Sequence, residues 1–386
     1  MAAHSDRQWM RLAIRLGRDG LGATGDNPSV GCVIVRETVD GWEVIGRGRT
    51  GDGGRPHGEV QALAMAGEEA RGATLYVTLE PCSHFGKSPP CADAIIKAGI
   101  ARVVVAVKDP NPVVSGDGLA RLKDAGIEVE TGVLVDEASW ATAGHLLRFL
   151  EERPFVQLKI AVSSDGLIAP GDGAPQWVTG PQSRARGHLL RGQADGILVG
   201  IGTVLADDPK LDCRLPGLEG QSPVPVVLDS QLRTPLRAHL VMNSNVRPLR
   251  IFCAPVGDND DARVRAEKLR NKGVVIHEIS LHDKGQLDPV DVLRRLKELG
   301  ITRLMIEGGP RVAQSFLGAG LIDEVVIFRG DKPVDGDGLL PLSSDGIDIF
   351  DDPEKWLVQL ELTCGVDLMM VKRNRKTQAR FAQVQT

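Results

Sequence analysis

Pro56-His57-Gly58-Glu59, Glu80-Pro81-Cys82 and Pro89-Pro90-Cys91 decide the reading of this chain. His57, Cys82 and Cys91 offer one imidazole and two thiolates, three ligands for a borderline-soft ion such as zinc, with the fourth position left to water. Glu59, two residues after the histidine, stays off the metal and free to move protons. His57 and Glu59 stand at the start of a helix expected over about residues 58–69. Cys91 starts another, since proline is tolerated in a first turn. Both helix starts would point their positive ends at the thiolates and the activated water, favouring the anionic forms. Two other readings stay open at this level. One is a structural zinc knot closed by His84 as fourth ligand; the other is a pair of buried thiols that bind nothing.

Outward from these motifs, the first half alternates short helices and strands, as helices packed on both faces of a sheet require. Trp9, Leu12, Ala13 and Leu16 mark an amphipathic opening helix, and strands are expected at 30–35, 42–45 and 73–79. Residues 101–107 form a nearly continuous β-branched run suited to a strand buried on both sides, and a helix is expected at 118–125. Gly46-Arg47-Gly48-Arg49-Thr50-Gly51 satisfies the dinucleotide string G-x-G-x-x-G, but the helix it would open already carries His57 and Glu59, so it reads as a turn.

Glu151-Glu152-Arg153-Pro154 breaks the rhythm with charge and a proline. The expected domains are therefore 1–150 and 151–374, with a polar, frayed tail over 375–386. In the second half, strands are expected at 155–162, 196–200, 224–228, 249–253, 274–276, 303–306 and 325–328, interleaved with helices near 183–191, 262–270, 290–299 and 312–317. Two late strands, 357–362 and 367–371, have no helix between them and imply an antiparallel edge.

Composition bounds the function. With 386 residues, 42% hydrophobic and 25% charged, the chain can build two or three domains. A net charge of −5 argues against a broad nucleic-acid or membrane surface, and no apolar run reaches the length of a membrane span. Six scattered cysteines make no disulfide framework, and the N-terminus lacks the apolar core of a secretion signal, so a reducing cytoplasm is the expectation.

A non-ligand glutamate in H-x-E ahead of a Pro-Cys pair is the ligand arithmetic of zinc deaminases, although eight residues, Ser83 to Pro90, separate these cysteines where the commoner pattern has about two. The reaction implied is hydrolytic deamination of a heteroaromatic amine, Glu59 taking the water proton and returning it to the ring and the leaving ammonia. In the second half, Gly200-Ile201-Gly202 has Leu205 where a dinucleotide fingerprint needs its third glycine. Glu307-Gly308-Gly309-Pro310 follows a strand and opens a helix, offering backbone N–H groups to an anion. Arg191 and Arg214 are candidates to grip a phosphate by forked hydrogen bonds.

Around this core, Asn27-Pro28-Ser29-Val30-Gly31-Cys32, Pro56 to Val60, Leu79 to Cys91 and Lys108-Asp109-Pro110-Asn111-Pro112 together resemble the deaminase half of the bacterial bifunctional riboflavin biosynthesis family, where a long loop between the cysteines is normal. The resemblance implies a cytidine-deaminase-like α/β/α domain whose substrate pocket is lined by Asn27, His84, Lys87, Asp109 and Asn111, with Lys87 a contact for an anionic substrate. Gly58 stands where the family more often has alanine, at a small cost in helix propensity. Lys159, Ser163-Ser164-Asp165-Gly166, Gln176 to Thr179, Leu190-Arg191, Gly202 to Pro209, Leu228-Asp229-Ser230 and Glu307 to Pro310 are similar to the family's reductase half, a dihydrofolate-reductase-like α/β domain that uses NADPH.

From that likeness, Ala161, Trp177, Thr203, Asp207, Ser230, Gly309, Pro310, Arg311, Val312, Ala313, Gln314 and Ser315 are expected at the cofactor. Lys159, Arg191, Leu211, Arg214 and Glu307 are expected at the ribose phosphate, with Lys159 a candidate electrostatic or proton-transfer partner. Two positions depart from the pattern: Pro175 replaces a common substrate-contacting serine, and Ser164 an apolar residue.

The expectation is an α/β enzyme of two domains with Zn2+ and NADPH as cofactors. It would deaminate a diaminopyrimidinone ribosyl phosphate and then reduce the ribosyl chain to ribityl. Its expected partner is that small molecule, with no nucleic acid and no membrane, and a homo-oligomer is compatible with the sequence. Two rivals are a nucleoside or tRNA-base deaminase fused to the same reductase-like fold, and a zinc-stabilised scaffold without turnover. The acidic charge and long inter-cysteine loop oppose the tRNA reading, and the intact Glu59 opposes the scaffold.

Overall fold

Cys32, Val33, Ile34 and Val35 are successive residues and all fully buried. Neighbours along a strand point to opposite faces, so both faces of this sheet are covered. The computed structural model describes residues 2–86, 89–169, 177–282, 285–334, 337–342 and 346–384; Lys87 and Pro175 lie outside them. The chain divides into two units, Met1–Glu152 with Gln378–Thr386, and Arg153–Thr377.

The first unit contains β1 (Gly31–Thr38), β2 (Gly41–Arg49), β3 (Thr74–Val77), β4 (Arg102–Val105) and β5 (Glu128–Thr131), in the order β2-β1-β3-β4-β5. β1 is antiparallel to β2 and β3, whereas β3, β4 and β5 are parallel. Its helices are α1 (Ala2–Asp19), α2 (Gly58–Ala66), α3 (Cys91–Ala98), α4 (Asp117–Asp124), α5 (Val135–Ala141) and α6 (Ala143–Leu150). The glycine-rich run at 46–51 is not the expected turn. Gly46 and Gly48 lie within β2, where an added Cβ would overlap the α2 backbone at Ala62 O and Gly58 O respectively. The missing side chains let the helix bearing Glu59 lie directly on the strand.

The second unit contains β6 (Phe155–Val162), β7 (Gly196–Gly200), β8 (Val224–Leu228), β9 (Arg250–Cys253), β10 (Val275–Glu278), β11 (Arg303–Glu307), β12 (Glu324–Arg329), β13 (Trp356–Cys364) and β14 (Asp367–Asn374). They form one sheet in the order β10-β9-β8-β7-β11-β6-β12-β14-β13. Every pairing from β10 to β12 is parallel, and β14 and β13 add the antiparallel edge expected from the sequence. The chain steps outward from β6 through β7 to β10, then returns as β11 between β7 and β6. The carboxyl ends of these three strands therefore meet at a switch point, where open α/β sheets bind ligands. Helices α7 (Pro181–Gly192), α8 (Ile201–Asp207), α9 (His239–Met242), α10 (Asp260–Arg270), α11 (Pro289–Glu298) and α12 (Pro310–Gly318) connect the strands. The core is filled by residues such as Leu198, Phe252, Leu304 and Phe316, each at most 1% exposed.

The expected frayed tail is instead a helix, α13 (Arg375–Ala382). Phe381 is buried and meets the Trp140 ring edge-on, 5.2 Å between centroids. That aromatic contact and the Arg380–Glu151 ion pair, at 2.9 Å, anchor a segment whose composition reads as solvated. Among the described residues, no helix is long and apolar enough to cross a membrane.

Candidate active sites

His57 precedes the first turn of α2 in extended backbone, and Cys91 is the first residue of α3. Nδ1 of His57 lies 3.2 Å from Cys91 Sγ and 3.7 Å from Cys82 Sγ. All three ligand atoms fall within 4.8 Å of one another, and His84 does not join them. The Cys91 N–H donates to Cys82 Sγ at 3.3 Å, which fixes the two sulfurs together. One imidazole and two thiols converging this closely fit a tetrahedral zinc with one place to spare. Cys82 is drawn down to about 4, first by the hydrogen bond from the Cys91 thiol and further by His57, while Cys91 is pushed up. Glu59, on the first turn of α2 and only 3% exposed, stands outside the trio. Burial raises its carboxyl above the usual range against the pull of His57, so it can hold a proton as well as take one.

The expected pocket residues divide into two groups. Asn27 packs against Gly54, three residues before His57, and Gly86 lies beside both His84 and Arg55. Arg55 Nη1 lies 3.2 Å from His57 Nε2, a contact that sequence reasoning missed. Asp109 is buried, and its Oδ1 accepts from His145 Nε2 at 2.8 Å and from the Asn111 N–H at 2.9 Å. The Asn111 Oδ1 in turn accepts from the Val113 N–H at 3.1 Å. Both side chains thus build the loop after β4. Also missed was Glu80, whose buried carboxylate accepts the N–H groups of Asp109, Gly116, Gly118 and Leu119 at 3.0 to 3.3 Å. The only local signal was an acid ending an apolar strand in Glu-Pro-Cys; its partners lie 29 to 39 residues away. Gly58 also matters more than its propensity: a Cβ there would stand 2.7 Å from Val30 O, so alanine needs a backbone shift in this chain.

In the second unit, Lys159 on β6 and Glu307 on β11 are register partners near the carboxyl ends of their strands. Arg191, from α7, meets Glu307 through both fork nitrogens at 3.0 and 2.7 Å, and its Nη1 donates to Asp212 O at 3.0 Å. The fork expected for phosphate is therefore engaged by a carboxylate. Arg214 is exposed, pairing with Asp212 at 3.4 Å and lying beside His188. Burial alone would raise Glu307, but Lys159 and Arg191 outweigh it and hold it at about 2. Two cations and one carboxylate leave the cluster positive. Lys159 Nζ also sits 5.9 Å from the centroid of the Phe328 ring.

Thr203 on α8 accepts the Gly309 N–H at 3.2 Å, tying two helix starts together. Gly308 takes φ 144°, and a Cβ there would stand 2.8 Å from Thr203 Oγ1. Only glycine lets the backbone pass so close, which fits a turn that cradles a dinucleotide phosphate. Trp177 is 76% exposed with Arg184 stacked 4.7 Å over its ring, and Asp207 is exposed at the end of α8. Arg311 is exposed, and Gln314, Ser315 and Ala161 are half-buried. Val312, Ala313 and Leu211 turn their side chains into the core, leaving their backbones for any ligand. Ser230 follows β8 and lines a cavity with residues of β9's end and α10.

A mixed sheet with a His-Cys-Cys centre and an unligated acid, followed by a parallel sheet with a glycine turn and a cationic cluster, defines a zinc deaminase joined to a dinucleotide-dependent reductase. Residues 3–107 match the family described as cytidine and deoxycytidylate deaminase zinc-binding region, and residues 154–334 match the RibD C-terminal domain. The riboflavin biosynthesis protein RibD of Aquifex aeolicus is 44% identical over 88% of this chain and 90% of its own, and that of Escherichia coli 41% identical over 86% and 89%. Among solved structures, Acinetobacter baumannii RibD superposes with a TM-score of 0.81 at 34% identity, covering 96% of this chain and 99% of that one. A Thermotoga maritima deaminase/reductase superposes with a TM-score of 0.79 at 33% identity, covering 97% and 100%. The chain belongs to the RibD family of riboflavin biosynthesis proteins. It is a bifunctional enzyme, a deaminase that takes zinc and a reductase that takes NADPH.

Proposed function

We propose that the first unit deaminates diaminohydroxyphosphoribosylaminopyrimidine and that the second reduces 5-amino-6-(5-phosphoribosylamino)uracil, the two compounds named for the Thermotoga maritima relative. The observation that carries this reading is the convergence of three ligand atoms within 4.8 Å, beside a buried carboxyl that is not one of them.

When bound at His57, Cys82 and Cys91, zinc supplies the Lewis acidity that makes water a nucleophile at neutral pH, and NADPH supplies the reducing equivalents of the second step. The Glu59 carboxylate carries both protons of the attacking water in turn, the first to the ring nitrogen as the C–O bond forms and the second to the amino group as the C–N bond breaks and ammonia leaves. Asn27, His84, Asp109 and Asn111 form the wall that orients the pyrimidine, the last two acting through the loop they build, and Lys87 supplies a cation for the substrate's phosphate. In the reductase unit, Trp177, Thr203, Asp207, Ser230 and the turn of Gly309 to Ser315 hold the cofactor, with Ala161 beneath it. Arg214 and the Arg191–Glu307 pair face the ribose phosphate together with the backbone at Leu211. Lys159 is the cation placed to stabilise charge on the sugar oxygen and hand it a proton.

A stepwise assay of the pure protein tests this. Glu59→Gln is expected to retain zinc and lower ammonia release by about a thousandfold, while NADPH oxidation with the deaminated substrate continues unchanged. Equal ammonia release from cytidine or tRNA would reject the proposed substrate, and loss of both activities would reject two independent sites.

A further inference from the structure

Arg250 opens β9, and its register partner on β10 is Val275, so Arg250 and Phe252 share one face of the sheet with Val275 and His277. The rings of Phe252 and His277 meet on that face, 5.0 Å between centroids. Leu293 and Leu296 of α11 join Phe252 in the core there. From the same helix, Arg295 Nε donates to His277 Nδ1 at 3.4 Å and its Nη1 to Glu298 at 2.7 Å. Because Nδ1 accepts, the neutral imidazole carries its proton on Nε2. That N–H is buried in a residue only 8% exposed and finds no acceptor among the described residues, and the same holds for the buried Nε–H of Arg250. The Arg250 side chain makes no hydrogen bond or ion pair among those residues.

The other acids of these elements are engaged elsewhere. Asp288 accepts the Val290 N–H at 2.8 Å, Asp291 pairs with Arg294 at 2.5 Å, and Glu278 accepts the Val256 N–H at 3.1 Å. One exposed carboxylate, Glu298, therefore answers two guanidinium groups and an imidazole. Burial, then Arg295 and Arg250, holds His277 down at about 4, and burial with Arg295 lowers Arg250 as well. An oxyanion supplies both things the cluster lacks: acceptor atoms for its N–H groups, and negative charge between two forks. We propose that Arg250, Arg295 and His277 form a binding site for a phosphate group, borne by a small ester or free as inorganic phosphate. Arg250 stands at the amino end of β9, whereas the reductase cluster lies near the carboxyl ends of β6 and β11. The bound group therefore takes no part in the reduction. It ties β9 and α11 to β10, the last strand of the sheet on this side, and relieves the repulsion among their cations.

The test is nuclear magnetic resonance of the His277 ring in the full-length protein, its signal assigned by its loss in His277→Gln. Inorganic phosphate and ribose 5-phosphate are titrated separately, with sodium chloride at matched ionic strength as the blank. The ring signal is expected to move saturably with at least one phosphate and to ignore chloride. Tighter binding of the sugar phosphate makes an ester the occupant, and tighter binding of the inorganic ion makes it free phosphate. Arg250→Ala should weaken binding about tenfold and Arg250→Ala/Arg295→Ala about a hundredfold, with both half-reactions unchanged. Arg250→Lys, which keeps the charge and the fold but loses the fork, should fall between Arg250→Ala and the parent. A signal that ignores both phosphates, one that responds equally to chloride, or an affinity unchanged in Arg250→Ala overturns the proposal.

Discussion

Glu307 lies half-buried between Arg191 and Lys159, and its ionisation couples the reductase site to the stability of the fold. Its ordinary value is 4.5, and although burial works to raise it, the two cations hold it at about 2. A pKa lowered on folding means that the ionised form stabilises the native state. That contribution is complete above the unfolded value and is lost as pH falls through the folded one. The difference corresponds to about 3 kcal/mol at neutral pH. Glu307→Gln leaves two cations facing a neutral amide, so the variant is expected to be less stable than the parent by about 2–3 kcal/mol at pH 7, a gap that closes as the pH approaches 2. Urea unfolding at several pH values checks this; a gap independent of pH would trace the loss to shape rather than charge. The motif Glu-Gly-Gly-Pro marked this residue as functional, but nothing local to it announced that Arg191, 116 residues earlier, would spend its fork on the same carboxylate.

Elements bounded by strong local signals matched the sequence reading closely, and those made by distant partners did not. Residues 155–162, 196–200 and 224–228 are the full extents of β6, β7 and β8, because apolar, largely β-branched runs ending at glycine, proline or charge leave little choice. β5 was missed because Glu128-Val129-Glu130-Thr131 is a short charged edge strand, whose polarity suits an edge rather than a buried strand. α8 was missed because Gly200, Gly202 and the β-branched Ile201, Thr203 and Val204 are poor helix formers, held here by the Thr203–Gly309 bond. The metal trio was legible as a motif. The loop facing it was legible only as turn residues, because the group that shapes it is Glu80, on the far side of Cys82 in sequence. Removing that carboxylate strands four N–H groups. Glu80→Ala is therefore expected to cost about 3–5 kcal/mol and to raise the KM for ammonia release. Glu80→Gln, which keeps acceptor oxygen, should fall between. Thermal melts with parallel kinetics of both half-reactions check this. If NADPH oxidation declined in step with ammonia release, the loop would not be the place where Glu80 acts.

The first unit is assembled from both ends of the chain, since Gln378–Thr386 belongs with Met1–Glu152 while the whole reductase sheet intervenes. Contiguous blocks of sequence, 1–150 and 151–374, carry no sign that the last segment belongs with the first unit. The physical reason is that a few side chains with distant partners do it: Phe381, 1% exposed, packs against Trp140, and Arg380 pairs with Glu151 at 2.9 Å. Losing a buried aromatic of this kind costs about 3–5 kcal/mol, a large share of the roughly 5–15 kcal/mol that holds a domain together. Phe381→Ala is therefore expected to lower the temperature at which ammonia release is lost, by about 6–20 °C for a unit of this size. The temperature at which NADPH oxidation is lost should hardly move, because Phe381 belongs with the deaminase unit and is not a member of the reductase core. Chelating zinc should divide the activities in the same way, ending ammonia release and sparing NADPH oxidation. The two treatments are distinguishable by rescue: added zinc restores the chelated enzyme and does nothing for Phe381→Ala that has already unfolded. A heat-inactivation profile in which both activities vanish together in Phe381→Ala would show that the C-terminal helix supports the whole molecule rather than the deaminase unit.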